Sequence, residues 1–290
     1  MIQGRTLALI VECNANLWIS PDQNFNWSHL LALICSTAKI LTAIHNQIHL
    51  MIFASLNDRM TIIYDSNLLK TSHKLQTLNN SYTAAMHESI VEKFQEFVSK
   101  EFTNNEESLN VMNLDFSLAV LMCYINKLHK QKFHGSETID VLVISIHFSL
   151  PKLLSDHKMI KASNDVKNQY LSFVNCTFSA QRLGIRIFGI SHCLRSTLLQ
   201  QASEISGGTY YHSEDFGELR RLLFRLVLSD FNKNLLAGRL KERPPHFDHR
   251  TACFCHQKLI DIAFACSVCF SVFCKRLPSC IICGSKMSKA

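Results

Sequence analysis

The chain has 290 residues, 47% of them apolar and 18% charged, with a net charge of +7; a globular protein usually carries ~25% charged residues. That length accommodates one large domain plus a small one, and the shortage of charge suggests a surface partly covered by partners. Lys and Arg are scattered without a run of like charges, so no nucleic-acid groove is signalled and a solvated basic surface is the plainer reading.

Behind Arg5, the run Leu7-Ala8-Leu9-Ile10-Val11 ends at Glu12. It is too short for a signal-peptide core and reads as a buried strand. The longest apolar segment, from Leu30 to Ile44, is interrupted by Ser36, Thr37, Lys39 and Thr42. It falls short of the ~20 residues of a membrane span. Further strands are expected at 48–54, 61–64, 140–146, 184–190 and 209–212. Between them lie helical patterns: Ile90, Val91, Phe94, Phe97 and Val98 share one face, and Leu118, Leu121, Met122, Ile125 and Leu128 another. A third helix spans 164–181, and a last one uses Leu219, Leu222, Leu223, Leu226 and Val227.

This alternation predicts an α/β fold, a mostly parallel sheet with helices on both faces. Only Ser55 to Met60 separates the second and third strands, too few residues for a crossover helix, so that pair should be antiparallel. Gly207-Gly208 predicts a left-handed helix cap before the last strand. Neither G-x-G-x-x-G after a strand nor G-x-x-x-x-G-K-[ST] occurs, so nothing cradles a phosphate. From 231 to 250 the pattern weakens and Pro244-Pro245 breaks any helix, which places a linker between a domain of residues 1–230 and a module of residues 251–290. No internal repeat is evident.

Seven of the twelve cysteines lie between Cys253 and Cys283. Cys266-Ser-Val-Cys269 and Cys280-Ile-Ile-Cys283 are two C-x-x-C pairs, whose four thiolates can surround one zinc ion. In a chain without an export signal, such clustering indicates metal rather than disulfides and an intracellular protein. So small a module buries too little apolar surface to fold unaided, so the zinc is structural, and all-thiolate ligation closes its coordination sphere. Cys253, Cys255, His256 and Cys274 are left over. They form either a second, interleaved site in a RING-like cross-brace or a set of buried thiols.

Ala252-Cys-Phe-Cys-His256, Cys266-Ser-Val-Cys269, Phe273-Cys274 and Cys280-Ile-Ile-Cys283 together resemble the zinc element of one family. It is the smaller von Willebrand-A-like subunit of general transcription factor IIH, the Tfb4 family. Leu9-Ile10-Val11 with Asn14 and Trp18, Phe178-Ser-Ala-Gln-Arg-Leu-Gly-Ile185, Leu199-Gln-Gln-Ala202 and Ser206-Gly-Gly208 match in order, whereas 65–83 and the linker match poorly. The resemblance implies a von Willebrand A-type domain. In metal-dependent members of that fold a D-x-S-x-S loop after the first strand binds magnesium. Glu12, Asn14 and Asn16 stand there instead, and His147-Phe148 follows the strand where an Asp would be needed, so this Mg2+ site is read as degenerate.

Nor does a catalytic constellation emerge: G-x-S-x-G and H-E-x-x-H are absent, and His147 and His192 are isolated. Cys13 beside Glu12 reads as a buried small residue, and Trp18 and Trp27 as packing or interface anchors. The resemblance implies a non-catalytic subunit of the factor IIH core. Such a subunit acts in the nucleus, in RNA polymerase II initiation and nucleotide excision repair, by holding neighbours, chiefly the larger von Willebrand-A-like zinc-bearing subunit. The alternative is a RING-type ubiquitin ligase using two zinc ions. A weaker one is DNA binding through Lys275, Arg276, Lys286 and Lys289. The cores of the large domain and the module are expected to be separate.

Overall fold

In the computed structural model, the run behind Arg5 is an inner strand of a six-stranded sheet of order β3-β2-β1-β4-β5-β6. The structure describes residues 5–12, 27–44, 48–56, 59–67, 79–102, 114–132, 138–146, 164–192, 196–227, 251–255 and 259–287. β1 (Arg5–Glu12) runs parallel to β2 (Ile48–Leu56) on one side and to β4 (Thr138–Ile146) on the other. β5 (Arg186–His192) and β6 (Tyr210–Ser213) continue the sheet in parallel. At the opposite edge β3 (Arg59–Asp65) pairs antiparallel with β2, as its short connection requires. That pairing extends to Leu56 opposite Arg59, further into the turn than the apolar pattern indicated.

Successive strand residues alternate between two apolar clusters, because side chains of a strand point to opposite faces and both faces are covered. Leu7, Leu9 and Val11 join one cluster with α1 (Trp27–Ile44), α2 (Asn79–Phe102) and α6 (Phe216–Arg225). Ala8 and Ile10 join the other with α3 (Leu114–Lys132), α4 (Asn164–Arg182) and α5 (Thr197–Ser206). In α1 the polar interruptions are absorbed locally: the Thr37 hydroxyl, fully buried, donates to the Leu33 carbonyl at 2.8 Å. Among the described residues no helix is long and apolar enough to cross a membrane.

Two glycine turns frame β5. After α5, Gly207 sits at φ 75° and its N–H, with that of Gly208, closes the helix onto Glu204 and Ser203. Gly208 serves a different need, since a Cβ there would lie 1.9 Å from the Ile187 carbonyl oxygen. Gly184, expected to open a strand, instead has φ 69° and ends α4, so β5 begins two residues later. At this same end of the strands, buried Asp140 receives the guanidinium groups of Arg5 (2.6 Å) and Arg186 (2.8 Å), which ties β1, β4 and β5 by a fully paired charge.

The module has two short hairpins, β7 (Thr251–Ala252) with β8 (Leu259–Ile260), and β9 (Phe264–Ala265) with β10 (Val272–Phe273). Separate cores are not what forms. Cys266, Cys269, Phe273, Cys280 and Ile282 belong to the same buried cluster as α3, α4 and α5. The reason is that so small a module cannot enclose its own apolar residues and shares the helical face instead. The expected linker, 231–250, lies outside the described residues.

Candidate metal centre

Cys266-Ser-Val-Cys269 and Cys280-Ile-Ile-Cys283 fold into two turns of the same design, fourteen positions apart. In the first, the Phe270 N–H donates to the Cys266 carbonyl and the Cys266 N–H to the Ser271 carbonyl, both at 2.9 Å. In the second, the Gly284 N–H donates to the Cys280 carbonyl (2.9 Å) and the Cys280 N–H to the Ser285 carbonyl (2.8 Å). The residue after each second cysteine is left-handed, Phe270 at φ 60° and Gly284 at φ 74°. This is an internal repeat, C-x-x-C-x-S, that the sequence did not make evident; its signal is Ser271 and Ser285 at equivalent positions.

The repeat faces its two halves toward one point. All four sulfurs lie within 4.8 Å of one another. Cys266 Sγ stands 3.6 Å from Cys283 Sγ, and Cys269 Sγ 3.6 Å from Cys280 Sγ. A tetrahedron with metal–sulfur bonds of ~2.3 Å has sulfur–sulfur edges of roughly 3.8 Å, so the spacing suits a thiophilic ion. Both serine hydroxyls bridge the pairs: Ser271 Oγ lies 3.0 Å from Cys269 Sγ and 3.2 Å from Cys280 Sγ. Ser285 Oγ lies 3.0 Å from Cys283 Sγ and 3.2 Å from Cys266 Sγ. Burial opposes ionisation of Cys266, yet the Ser285 hydroxyl and backbone N–H groups outweigh it and bring its thiol to about 6. Burial pushes Cys269 up to about 12 despite Ser271, so without a metal the four sulfurs do not all ionise at neutral pH.

Cys253, Cys255 and Cys274 form a second cluster, their sulfurs also within 4.8 Å of one another. His256, the remaining residue expected there, lies outside the described residues. Between these two clusters the module meets α4. Tyr170 donates its hydroxyl to the Cys269 carbonyl at 3.1 Å and meets the Phe254 ring edge-on at 4.6 Å. Phe178, two turns on, lies 5.5 Å from Phe270. Phe270 thus keeps a left-handed backbone, costly for a bulky residue, while placing its ring against α4; its counterpart Gly284 has nothing within 4 Å of a Cβ position.

Elsewhere the expected residues do not assemble into a site. Glu12 ends β1 beside Ser55 and Ser145, only 8% exposed, and its Oε2 has no hydrogen-bond partner among the described residues. Burial raises its carboxyl to about 7, although a bond from Ser145 opposes this. Asn14 and Asn16, with Cys13, Trp18 and His147, lie outside the described residues. Trp27 opens α1. His192 is a buried residue, its Nδ1 3.2 Å from the Ser213 carbonyl oxygen.

A six-stranded, mostly parallel sheet with one antiparallel edge and helices on both faces, carrying a cysteine module that could hold a metal ion, is the α/β architecture that the von Willebrand A-type resemblance implied. The crystal structure of the TFIIH p34 N-terminal domain shares the fold, with a TM-score of 0.56 at 19% identity over 78% of this chain and 97% of that one. The sequence model for transcription factor Tfb4 matches residues 5–284, and the chain belongs to that family. Its relatives include "General transcription and DNA repair factor IIH subunit TFB4" of Arabidopsis thaliana, 28% identical over 96% of this chain and 87% of the relative. The corresponding fission yeast subunit is 25% identical over 97% of this chain and 88% of its own length. "General transcription factor IIH subunit 3" of Dictyostelium discoideum is 30% identical over 69% of this chain and 48% of its own. Nothing in these matches supports a RING-type ubiquitin ligase.

Proposed function

We propose that the protein is a non-catalytic structural subunit of the general transcription and DNA repair factor IIH core, acting in the nucleus. The observation that carries this reading is the family match from 5 to 284, which takes in sheet and cysteine module together. In this role the A-type domain, residues 1–230, and the module, residues 251–290, form one scaffold. It holds neighbouring subunits, chiefly the larger von Willebrand-A-like zinc-bearing one, and thereby helps to position the complex's helicases. Zinc in the site of Cys266, Cys269, Cys280 and Cys283 is structural: four thiolates suit a borderline-soft ion and leave no position for substrate.

Three features support a scaffold over an enzyme. Glu12 is a buried carboxyl whose ionisation burial opposes, so that only about half of it is charged at neutrality, which makes it a poor partner for magnesium. His192 is occupied with the backbone of β6 rather than aimed at a nucleophile. Finally, of the seven large apolar residues exposed among those described, five (Ile262, Phe264, Val268, Phe270 and Ile281) lie in the module, a concentration that suits a protein contact. The test is affinity purification of the tagged full chain from nuclear extract of its own organism, followed by mass spectrometry. Other factor IIH subunits, with the larger A-type subunit the most abundant, are the expected result; recovery of none of them overturns the proposal.

A further inference from the structure

Strand β9 pairs on one side only, with β10, placing Phe264 opposite Phe273 and Ala265 opposite Val272. The far side of β10 is taken, because the Phe254 N–H donates to the Val272 carbonyl at 2.9 Å. Beyond β9 no described strand follows, and Asp261, Ile262, Ala263, Phe264 and Ala265 are exposed in succession. Ile262 is 81% exposed and Phe264 41%. The edges of the large sheet differ. Ile63 and Tyr64 in β3, like Tyr210 and Tyr211 in β6, are buried, so the chain itself already covers those strands.

The pairing also fixes which backbone groups of β9 face outward. The Cys266 N–H donates to the Ser271 carbonyl at 2.9 Å, toward the β10 side. Antiparallel pairing alternates, so Phe264 also bonds toward β10, and Ala265 between them turns its N–H and C=O to the open side. Backbone groups so placed, beside exposed apolar side chains, are a template for one more strand. Open edges are usually blunted by lysine or proline, and residues 262–265 carry neither.

Charge selects the occupant. Residues 251–290 hold five basic side chains and one acidic, Asp261, a net +4 out of the chain's +7. Lys275 and Arg276, both exposed, follow β10 at the end of the ribbon where Ile262 enters. A second copy of the chain would set like charge against like. DNA would match the charge but leave Ile262 and Phe264 facing phosphates.

We infer that the open edge of β9 takes an extended, acidic segment of another protein as an added strand. Backbone hydrogen bonds to Ala265 set the segment's register. Its apolar residues cover Ile262 and Phe264, and its carboxylates face the basic end of the ribbon. This names a binding mode beyond the scaffold reading and does not depend on factor IIH membership.

Panning a phage-displayed peptide library against the immobilised full chain tests it. The expected enrichment is of peptides that alternate Asp or Glu with apolar residues. The labelled consensus peptide should bind the wild type in fluorescence anisotropy, and more weakly as salt rises. Ala265→Pro should weaken binding ~10-fold or more, the worth of one or two backbone hydrogen bonds. It deletes the outward N–H while the hairpin's own bonds stay in place. Should that variant fail to fold, Ile262→Glu, at an exposed position, should give a comparable loss by opposing carboxylate with carboxylate. Enrichment of neutral or basic peptides, or of none, overturns the proposal, as does a consensus peptide that is insensitive to salt or to both substitutions. A short DNA duplex bound more tightly than the peptide, and equally by Ala265→Pro, also overturns it. So does dimerisation of the wild type in sedimentation that Ala265→Pro abolishes. No factor IIH subunit enters the assay, so its failure and that of the factor IIH reading are told apart.

Discussion

The Tyr170 hydroxyl on α4 donates a 3.1 Å hydrogen bond to the carbonyl of Cys269, a residue of the four-cysteine centre ninety-nine positions later. One bond thus couples the A-type domain to the geometry of the centre, and Phe254 and Phe270 flank it on the same helix through Tyr170 and Phe178. The ring and hydroxyl of Tyr170 have separable roles. Burial, above all, pushes its phenol up to about 12, so it remains a donor well above neutral pH.

Tyr170→Phe keeps the ring contacts and removes the donor. It should lower global stability by about 1 kcal/mol and Tyr170→Ala by about 3–5 kcal/mol, the usual range for deleting a buried aromatic ring. Urea unfolding followed by circular dichroism separates the two. Equal losses for both variants would mean the hydrogen bond, not the ring, dominates the docking.

Cys269→Ser should destabilise the whole chain rather than the module alone. The sequence pattern suggested independent cores, but Cys269, Phe273, Cys280 and Ile282 share one cluster with Leu118, Leu121, Tyr170 and Phe173. If the cluster holds its proposed ion, losing that ion withdraws the cover from α3 and α4, at a cost of several kcal/mol. Thermal melting should show the large domain's transition moving down both in Cys269→Ser and in the wild type treated with a zinc chelator, relative to untreated wild type. A domain melt insensitive to the chelator would restore the separate-core picture.

How much of this was legible beforehand follows from what each feature depends on. Strands buried on both faces, such as Leu7 to Val11, announce themselves as unbroken apolar runs. The four cysteines that converge in the main cluster were legible as a set because C-x-x-C spacing is a local property of the chain. The docking was not, because Tyr170 and Phe178 occupy ordinary apolar helix positions, and nothing local distinguishes a face that meets a sheet from one that meets a cysteine module. Gly184 misled for a related reason: a glycine beside an apolar run reads equally as strand start or helix end, and its φ of 69° decides the matter.

The adjacent glycines after α5 should respond very differently to one methyl group. Gly207→Ala meets no atom within 4 Å but must hold φ 75°, a strain of about 1 kcal/mol. Gly208→Ala drives its Cβ to 1.9 Å from the Ile187 carbonyl oxygen, which forces α5 away from β5 and should cost about 3 kcal/mol or more. Chemical denaturation of both variants checks this, and a larger loss at Gly207 would contradict the close approach.

Glu12 makes the protein less stable as pH rises. Its carboxyl keeps a proton in the folded state up to about 7, against 4.5 as its ordinary value. The unfolded chain therefore gives up that proton first, and between these two values each step upward in pH favours unfolding. Above pH 7 the full difference is about 3 kcal/mol, at ~1.4 kcal/mol per pKa unit. Glu12→Gln cannot ionise and keeps a polar group facing Ser145, so its gain over wild type should be near zero at pH 4.5 and reach about 3 kcal/mol at pH 8. Protons also titrate the cysteine clusters, but that effect is common to both proteins and cancels in their difference. Urea unfolding of the pair at four pH values between 4.5 and 8 measures the gap directly; a gap that does not widen with pH would show that Glu12 is ionised in the folded chain.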